Sequence, residues 1–403
     1  MAVAAPGEMA ATPGERHAGG DRPWRRAVIV GLGVFAVSRA GMVAISVFAW
    51  VGDPGPRKSP THVAWLWASQ WDSPWFIAIA EHGYQRTADD SPAAFFPLYP
   101  LLIRVATPLC LGKSWVAALL VANLALAAAL ILLYRLTDLE LGQRAAGRAV
   151  FYLVAFPTGF FLGAAYNESL FIALAVGTVY CLRRQLWWSA GLLGGLAAAT
   201  RSAGILLAFA FVIEYTQRKM KLSEISALMV IPAGLGGVML TDWIAYGDPL
   251  AFSHTQAQHW GRHLAWPWQA PVDAMTKAGP PFTEIWTHNV LELGTVIGLA
   301  ALLTPWLRRP SLGNPWLRKP GTALYPLLGL ALLMFAVSFP SRYTSDIPNP
   351  LYSASRIGLE AFPAFMALGA LGERRWVDRA VTTIFLTTQG ILAAHFLHRG
   401  WVA

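Results

Sequence analysis

The sequence predicts an all-α polytopic membrane protein with about eleven transmembrane helices, and three observations carry that prediction. Of the 403 residues, 55% are hydrophobic and only 13% are charged, whereas soluble globular proteins carry about 25% charged residues. The mean hydropathy is +0.45. Apolar stretches such as 27–50, 115–134 and 289–307 approach or exceed the roughly 20 residues that a helix needs to cross a hydrocarbon core.

Charged residues or Pro/Gly-rich breaks separate the apolar runs and set the predicted boundaries. The run Phe95–Leu111 contains three prolines, so we expect it to lie in the outer interface or to re-enter rather than span. The predicted spans are 27–50, 115–134, 149–165, 168–182, 187–200, 201–217, 225–245, 289–307, 322–340, 351–372 and 376–397.

The N-terminal segment 1–26 is rich in Ala, Gly and Pro and is interpreted as a disordered cytoplasmic tail. The apolar run that follows is too long for a signal-peptide core, so it is interpreted as a retained anchor. Residues 27–403 are predicted to form a single transmembrane domain. Cys110 and Cys181 lie in or at the edge of apolar stretches, so we expect neither a disulfide framework nor a cysteine metal site.

Positive charge sets the predicted sidedness. The net charge is +9, and basic residues of membrane proteins collect in cytoplasmic loops, so we expect no nucleic-acid binding. A cytoplasmic N-terminus puts every basic cluster inside, and it predicts an inner-membrane protein whose loops at about 51–94, 246–288 and 341–350 face outward. These clusters are Arg22/Arg25/Arg26, Arg135/Arg144/Arg148, Arg183/Arg184, Arg218/Lys219/Lys221, Arg308/Arg309/Arg318/Lys319 and Arg374/Arg375.

The first outer loop contains a candidate general base. Trp71, Trp75 and Ile79 are four residues apart, which predicts a short interfacial helix from Trp71 to about Ala80. Asp72 would lie near the positive end of this helix, which favours the ionised form that a general base requires. Two alternatives remain open: Asp72 only caps the helix, or the tryptophans only anchor the loop in the interface.

Three arginines, Arg39, Arg201 and Arg356, lie in or next to apolar segments. An intramembrane arginine is costly unless it reaches water, an acid or a phosphate, so each is a functional candidate. Arg201 and Arg356 are predicted near the outer ends of their spans, where they can face an external anion. Arg39 lies deeper and is predicted to pair with an acid such as Asp242 or Glu168. Glu168 is otherwise either a helix-start acid or a ligand-binding acid.

The second outer loop offers only a weak metal motif. His259 and His263 have the i,i+4 spacing of zinc-binding histidines, but Trp260 stands where a zincin has its glutamate and Gly261 weakens the helix. No metal site and no cofactor are therefore expected, although metal assistance stays open.

Two groups of glycines, Gly191 with Gly195 and Gly234 with Gly237, raise the possibility of a phosphate-binding loop. No strand precedes them and no lysine follows them, as a nucleotide-binding loop requires. They are therefore interpreted as small-residue contacts between helices.

An ordered set of segments resembles the PIG-V-type (GPI mannosyltransferase 2-like) family and its bacterial relatives over nearly the whole chain after residue 27. The matching segments are Trp71-Asp72 through His82-Gly83-Tyr84, Phe95-Phe96-Pro97-Leu98-Tyr99-Pro100, Tyr166-Asn167-Glu168-Ser169-Leu170-Phe171, Ala190-Gly191-Leu192 leading to Thr200-Arg201-Ser202-Ala203-Gly204, Gly247-Asp248-Pro249-Leu250-Ala251-Phe252 with Gln256, and Arg356 before Phe362-Pro363.

The resemblance implies a GT-C glycosyltransferase that moves mannose from a polyprenyl-phosphate carrier to an acceptor outside the cytoplasm, with inversion. It also implies that Asp72 is the catalytic base. Candidate phosphate-binding residues are Arg356, Arg201 and His82, since a monophosphate can be stabilised by cations without a divalent metal. Candidate sugar or acceptor residues are Trp71, Tyr166, Asn167, Glu168, His254, Gln256 and Trp260.

The Ala-rich composition, with more arginine than lysine, is typical of bacteria with GC-rich genomes. The expected acceptor is therefore an envelope lipid or glycan, and the sugar can be another hexose or a pentose. Alternative functions are a transporter or flippase for a lipid-linked sugar, which the intramembrane arginines allow, and a non-catalytic membrane scaffold. Protein partners are not predicted.

Overall fold

The computed structural model describes residues 13–51, 59–86, 91–217, 221–277, 279–281, 283–308, 322–341 and 350–402. All regular structure in these ranges is helical. The helices are α1 Pro13–Val51, α2 Pro60–Leu66, α3 Ser73–His82, α4 Leu98–Ala106, α5 Ser114–Leu141, α6 Gln143–Ala155, α7 Glu168–Arg183, α8 Trp187–Ala198, α9 Leu207–Gln217, α10 Val230–Tyr246, α11 Ala251–Trp260, α12 Gln269–Thr276, α13 Glu284–Arg308, α14 Leu324–Val337, α15 Ala354–Ile357, α16 Phe362–Leu371 and α17 Arg375–Leu397. Short 3-10 segments join several of them, including Gly159–Gly163, Ser202–Leu206 and Gly358–Glu360.

Five helical segments among the described residues are long and apolar enough to cross a membrane: Arg22–Val51, Ser114–Leu141, Ser223–Tyr246, Ile285–Pro305 and Arg375–Leu397. Shorter apolar segments are Leu98–Cys110, Ser202–Gln217, Leu324–Val337 and Phe362–Leu371. The predicted all-α membrane fold is confirmed. Several of the eleven predicted spans are shorter helices because 3-10 segments and turns interrupt the apolar runs.

The centre of the bundle consists of short helices that other helices surround. Helix α7 packs against α5 and α8, and α6 packs against α5 and α16. The buried residues of α7 include Phe171, Val176 and Val179, which belong to the main apolar core. At 16 residues, α7 is about 24 Å long, which is less than the ~30 Å hydrocarbon core. The 3-10 segment Gly159–Gly163 and the residues before Glu168 continue beyond the start of α7, on the side that we predict to be outside.

Helices α8 and α10 approach each other closely at glycines. A Cβ atom on Gly234 would lie 1.9 Å from the Gly195 carbonyl oxygen, and one on Gly191 would lie 2.2 Å from the carbonyl oxygen of Ala227, in the 3-10 segment Leu222–Met229 that leads into α10. Gly237 has open space around it. The interpretation of Gly191, Gly195 and Gly234 as helix contacts is therefore confirmed, whereas Gly237 takes no part in the contact.

A buried ion-pair network joins helices at the end of the bundle that we predict to be cytoplasmic. The Arg183 guanidinium contacts Glu140 Oε1 at 2.6 Å and Glu214 Oε1 at 2.8 Å. The Tyr325 hydroxyl donates to the same Glu140 oxygen at 2.9 Å. Arg183, which we assigned to a basic loop cluster, therefore ties α5, α7, α9 and α14 together.

Two N-terminal expectations differ from the structure. Residues 13–26, assigned to a disordered tail, form the first part of α1, while residues 1–12 lie outside the described residues. Arg39 does not pair with Asp242 or Glu168; its Nη1 donates to Asn123 Oδ1 at 3.1 Å. The lack of a side chain at Gly163 makes this possible, because a Cβ there would lie 1.4 Å from Arg39 Nη1.

Candidate active site

A cavity of about 540 Å³ lies among the loops that we predict to face outward and the helix ends next to them. One part of its wall is polar and contains Asp72, Arg201 and Arg356. Another part is apolar and contains Leu235 and Phe339. The cavity therefore offers charged groups and an apolar surface to one bound molecule.

Asp72 reaches the cavity because of the local backbone before α3. Trp71 has a positive φ of 52°, which turns the chain just before the helix, and Pro74 fits the first turn. Asp72 occupies the N-cap position, but its side chain makes no capping hydrogen bond. Its Oδ2 lies 2.8 Å from Arg356 Nη1, and 27% of the side chain is exposed. The alternative in which Asp72 only caps the helix is therefore contradicted.

Arg356 lies on the one-turn helix α15 and is almost fully buried. Besides Asp72, its Nε lies 3.2 Å from Glu168 Oε1. Its guanidinium carbon stands 5.2 Å from the Tyr166 ring centre and 5.5 Å from that of Phe161. Such cation–π contacts hold a guanidinium over aromatic faces, so Arg356 has a fixed position beside Asp72.

Glu168 is the carboxylate that links the two arginines. It begins α7, is fully buried, and its Oε1 also lies 2.8 Å from Arg201 Nη1. Arg201 further contacts Asn167 Oδ1 at 2.9 Å and Glu360 Oε1 at 2.7 Å. The result is one connected network from Asp72 through Arg356 and Glu168 to Arg201, in which each guanidinium has at least two acidic neighbours.

Helix α11 contributes His254, Gln256 and Trp260 to the cavity lining. His254 Nδ1 lies 2.6 Å from Asp248 Oδ2. The backbone N–H of Leu250 and this histidine lower the pKa of the Asp248 carboxyl, so Asp248 stays ionised and orients the imidazole. Trp260 packs edge-on against Phe95, with ring centres 6.0 Å apart.

Most predicted site residues line this cavity, but three do not. Tyr166 and Glu168 lie behind the wall: the Tyr166 hydroxyl donates to the Gln70 carbonyl at 3.0 Å, and Glu168 holds the arginines. His82 lies at the far end of α3, about 15 Å from Asp72, with an exposed side chain. The predicted contacts of Tyr166 and Glu168 with sugar, and of His82 with phosphate, are therefore not supported. The predicted residues at the cavity are Asp72, Arg201, Arg356, Trp71, Asn167, His254, Gln256 and Trp260.

The weak metal motif of the second outer loop is not assembled. Helix α11 ends at Trp260, and Gly261 adopts a left-handed conformation with φ of 59°. His259 and His263 therefore do not share a helix face. Among the described ranges of the chain, no group of three or more His, Cys, Asp or Glu side chains is arranged to hold a metal ion.

Arg262 and Glu360, which were not predicted as site residues, also line the cavity, as does His263, which was considered only as a metal ligand. Glu360 lies in a short 3-10 segment inside an apolar run. A lone acid four residues after Arg356 in such a run could have identified it as a candidate ion-pair partner or site residue. Arg262 and His263 follow Gly261, and nothing in their local pattern separates them from other loop residues.

A family model described as "Mannosyltransferase (PIG-V)" matches residues 60–229, which include Asp72, Asn167, Glu168 and Arg201. The similarity to the PIG-V mannosyltransferase family therefore covers residues 60–229, less than half of the chain. The chain is similar to GPI alpha-1,6-mannosyltransferase 2 of Mus musculus, with 33% identity over 149 residues. The corresponding protein of Rattus norvegicus shows 36% identity over 151 residues. These matches cover 34% of this chain but only 29% and 30% of the relatives, respectively.

Solved structures show the fold beyond the PIG-V segment. ArnT from Cupriavidus metallidurans, crystallised with undecaprenyl phosphate, superimposes with a TM-score of 0.53 and 14% identity over 88% of this chain and 64% of ArnT. The apo oligosaccharyltransferase of Archaeoglobus fulgidus gives a TM-score of 0.50 and 12% identity over 93% of this chain and 56% of that protein. The predicted GT-C-like fold is confirmed.

Proposed function

We propose that this protein is an inverting membrane mannosyltransferase that takes mannose from a polyprenyl-phosphate carrier and transfers it to an envelope lipid or glycan outside the cytoplasm. The observation that carries the proposal is the convergence of Asp72, Arg356 and Arg201 on one cavity with an apolar wall. The match of residues 60–229 to a mannosyltransferase family model supports mannose as the sugar, and the undecaprenyl phosphate bound to ArnT supports the polyprenyl-phosphate carrier.

The proposed reaction needs a base, a leaving group and no covalent enzyme intermediate. The Asp72 carboxylate takes the proton of an acceptor hydroxyl, and that oxygen attacks the anomeric carbon as the bond from this carbon to the phosphate oxygen breaks. The electron pair of the broken bond leaves with the polyprenyl phosphate. Because Oδ2 of Asp72 is held by Arg356, Oδ1 is proposed to accept the proton.

Fixed positive charges at the cavity are proposed to stabilise the phosphate as negative charge develops on it. Guanidinium groups already positioned by the protein act in this way without reorganisation during the reaction. We therefore propose that the reaction proceeds without a divalent metal. Gln256, Trp260 and His254 are proposed to contact the sugar or acceptor, since they line the same cavity as the network.

The proposal is tested by transfer from mannosyl-phosphoryl-polyprenol to membrane acceptors, in the presence and absence of a chelator. Asp72→Asn keeps the size of the side chain but removes the base, so we expect transfer to fall by a factor of about 10²–10⁴. Asp273→Asn is the matched control, because this carboxylate on α12 pairs with Lys277 and does not line the cavity. Full activity of Asp72→Asn, or movement of the lipid across liposomes without glycosidic bond formation, would refute the proposal.

A further inference from the structure

Three guanidinium groups line the cavity, but carboxylates neutralise only two of them. Arg201 contacts Glu168 and Glu360, and Arg356 contacts Asp72 and Glu168. A phosphate that approached either arginine would therefore also meet carboxylates. Repulsion from three acids offsets much of the attraction of these two cations for an anion.

Arg262 is the third guanidinium, and it forms no ion pair with any residue that the structure describes. The left-handed Gly261 ends α11, and the backbone N–H of Arg262 donates to the Gln256 carbonyl at 3.1 Å. Its Nη2 donates to the Tyr352 carbonyl at 3.3 Å, while the Tyr352 ring centre lies 5.8 Å from the guanidinium carbon. These contacts fix the side chain from one side only.

The Nε atom of Arg262 is buried and has no hydrogen-bond partner among the residues that the structure describes. Burial, with a smaller contribution from the Arg356 charge, lowers the pKa of Arg262 to about 10, so the group is still a cation at neutral pH. A half-buried guanidinium that forms no ion pair within the described residues is costly to desolvate, and a bound anion would compensate for that cost. Arg262 can therefore bind an anion, whereas the carboxylates around Arg201 and Arg356 would repel it.

His263, the next residue, adds a second unused polar atom to the same wall. Its Nδ1 lies 2.9 Å from the Gly261 carbonyl, which only accepts, so Nδ1 carries a hydrogen. Its Nε2 is buried and has no hydrogen-bond partner in the described part of the chain, and the residue lines the cavity. In the protonated imidazole, Nε2 is a donor for a phosphate oxygen.

We propose that Arg262, assisted by His263, is the principal binding group for the phosphate of the lipid-linked donor, and that Arg356 and Arg201 mainly hold the carboxylates Asp72, Glu168 and Glu360 in place. This inference rests on the proposed function, and it assigns the phosphate to a different loop from the one that carries Asp72. The phosphate then lies beside Arg262 in the cavity that Asp72 also lines, and the apolar residues Leu235 and Phe339 remain for the lipid chain.

The test is lipid binding by the purified full chain in nanodiscs. Undecaprenyl phosphate, undecaprenol and inorganic phosphate are titrated against wild type, Arg262→Gln, Arg262→Lys and Lys277→Gln. A hydrogen bond to a charged group contributes about 1.5–3 kcal/mol, so Arg262→Gln is expected to bind undecaprenyl phosphate about 10–150-fold more weakly. Its affinity for undecaprenol is expected to stay unchanged.

Lys277→Gln is the charge-matched control, because Lys277 pairs with Asp273 on α12 and does not line the cavity. It should bind like wild type, while Arg262→Lys should bind at least threefold more tightly than Arg262→Gln. Equal binding of undecaprenyl phosphate by wild type and a normally melting Arg262→Gln would overturn the inference. Equal loss in the Lys and Gln variants, or inorganic phosphate binding as tightly as the lipid, would do so as well.

Kinetics separate this inference from the proposed function. In the transfer assay, Arg262→Gln should raise the donor KM more than it lowers kcat, whereas Asp72→Asn should lower kcat. A protein that transfers sugar but is indifferent to Arg262→Gln contradicts only the inference. One that binds undecaprenyl phosphate through Arg262 but transfers no sugar contradicts only the proposed function.

Discussion

Tyr166 holds the Arg356 guanidinium over its ring and fixes the chain before Asp72 through a hydrogen bond to the Gln70 carbonyl. It is fully buried and does not itself line the cavity. Two different contacts of one side chain therefore position the two partners of the Asp72–Arg356 ion pair. The ring positions the Arg356 guanidinium, and the hydroxyl positions the backbone that leads to Asp72.

Substitutions at Tyr166 can separate these contributions. Tyr166→Phe keeps the ring and should reduce transfer only a few-fold, because a neutral hydrogen bond contributes about 1 kcal/mol. Tyr166→Leu also removes the cation–π contact, which adds about 0.5–2 kcal/mol, so transfer should fall by a further factor of about 2–30. The measurement is kcat and donor KM for both variants. A Phe variant as impaired as the Leu variant would show that the ring contact is unimportant.

The sequence allowed Asp72, Arg201 and Arg356 to be chosen because a charged residue beside an apolar segment is costly and needs a reason. It did not allow their partners to be chosen. Arg39 pairs with Asn123 rather than with an acid, and Glu168 is shared by two arginines. Such pairings depend on how helices distant in sequence pack, and Arg262 was missed because its environment is created by residues 90 positions away.

Among the elements, α8 and α10 show that local pattern can be predictive. Their glycines lie at a contact so close that backbone atoms of one helix occupy the space of a missing side chain on the other. The helix lengths were less predictable. The apolar character of α6, α7 and α8 indicated spans, but Pro157 and Gly159 interrupt one such run, and the helices end where the turn begins.

The glycine contact leads to a matched pair of substitutions on α10. Gly234→Ala should destabilise the protein by about 1–3 kcal/mol, since its Cβ would meet the Gly195 backbone and force the helices apart. Gly237→Ala, one turn away in open space, should be neutral or slightly stabilising, because alanine favours helix by about 0.5–1 kcal/mol over glycine. Thermal unfolding in detergent measures both. Equal melting temperatures for the two variants would contradict the assigned contact.

For the whole molecule, two polar networks lie at opposite ends of the same helix. Glu168 begins α7 and belongs to the cavity network, whereas Arg183 ends α7 and belongs to the network with Glu140 and Glu214. The helix separates them by about 24 Å, close to the thickness of the hydrocarbon core. The bundle therefore has two chemically different faces, and the positive-inside rule predicts which of them is cytoplasmic.

Sidedness is the property on which the proposed use of an extracytoplasmic acceptor depends, and labelling of single cysteines in intact cells can test it. The native thiols are first removed with Cys110→Ser and Cys181→Ser. Glu81 lies on α3, at the end of the bundle that contains the cavity, and its side chain is exposed. The cysteine of Glu81→Cys should therefore react with an impermeant maleimide from outside.

Glu373→Cys, in the exposed turn between α16 and α17 at the other face, should react only after the membrane is permeabilised. The two cysteines lie on opposite sides of the membrane but are both exposed to water. A difference in their labelling therefore reports the side of the membrane rather than burial of the thiol. The reverse labelling pattern would place Asp72 in the cytoplasm. A donor on the cytoplasmic leaflet would then be required, because neither the polyprenyl phosphate nor the attached sugar crosses a hydrocarbon core unaided.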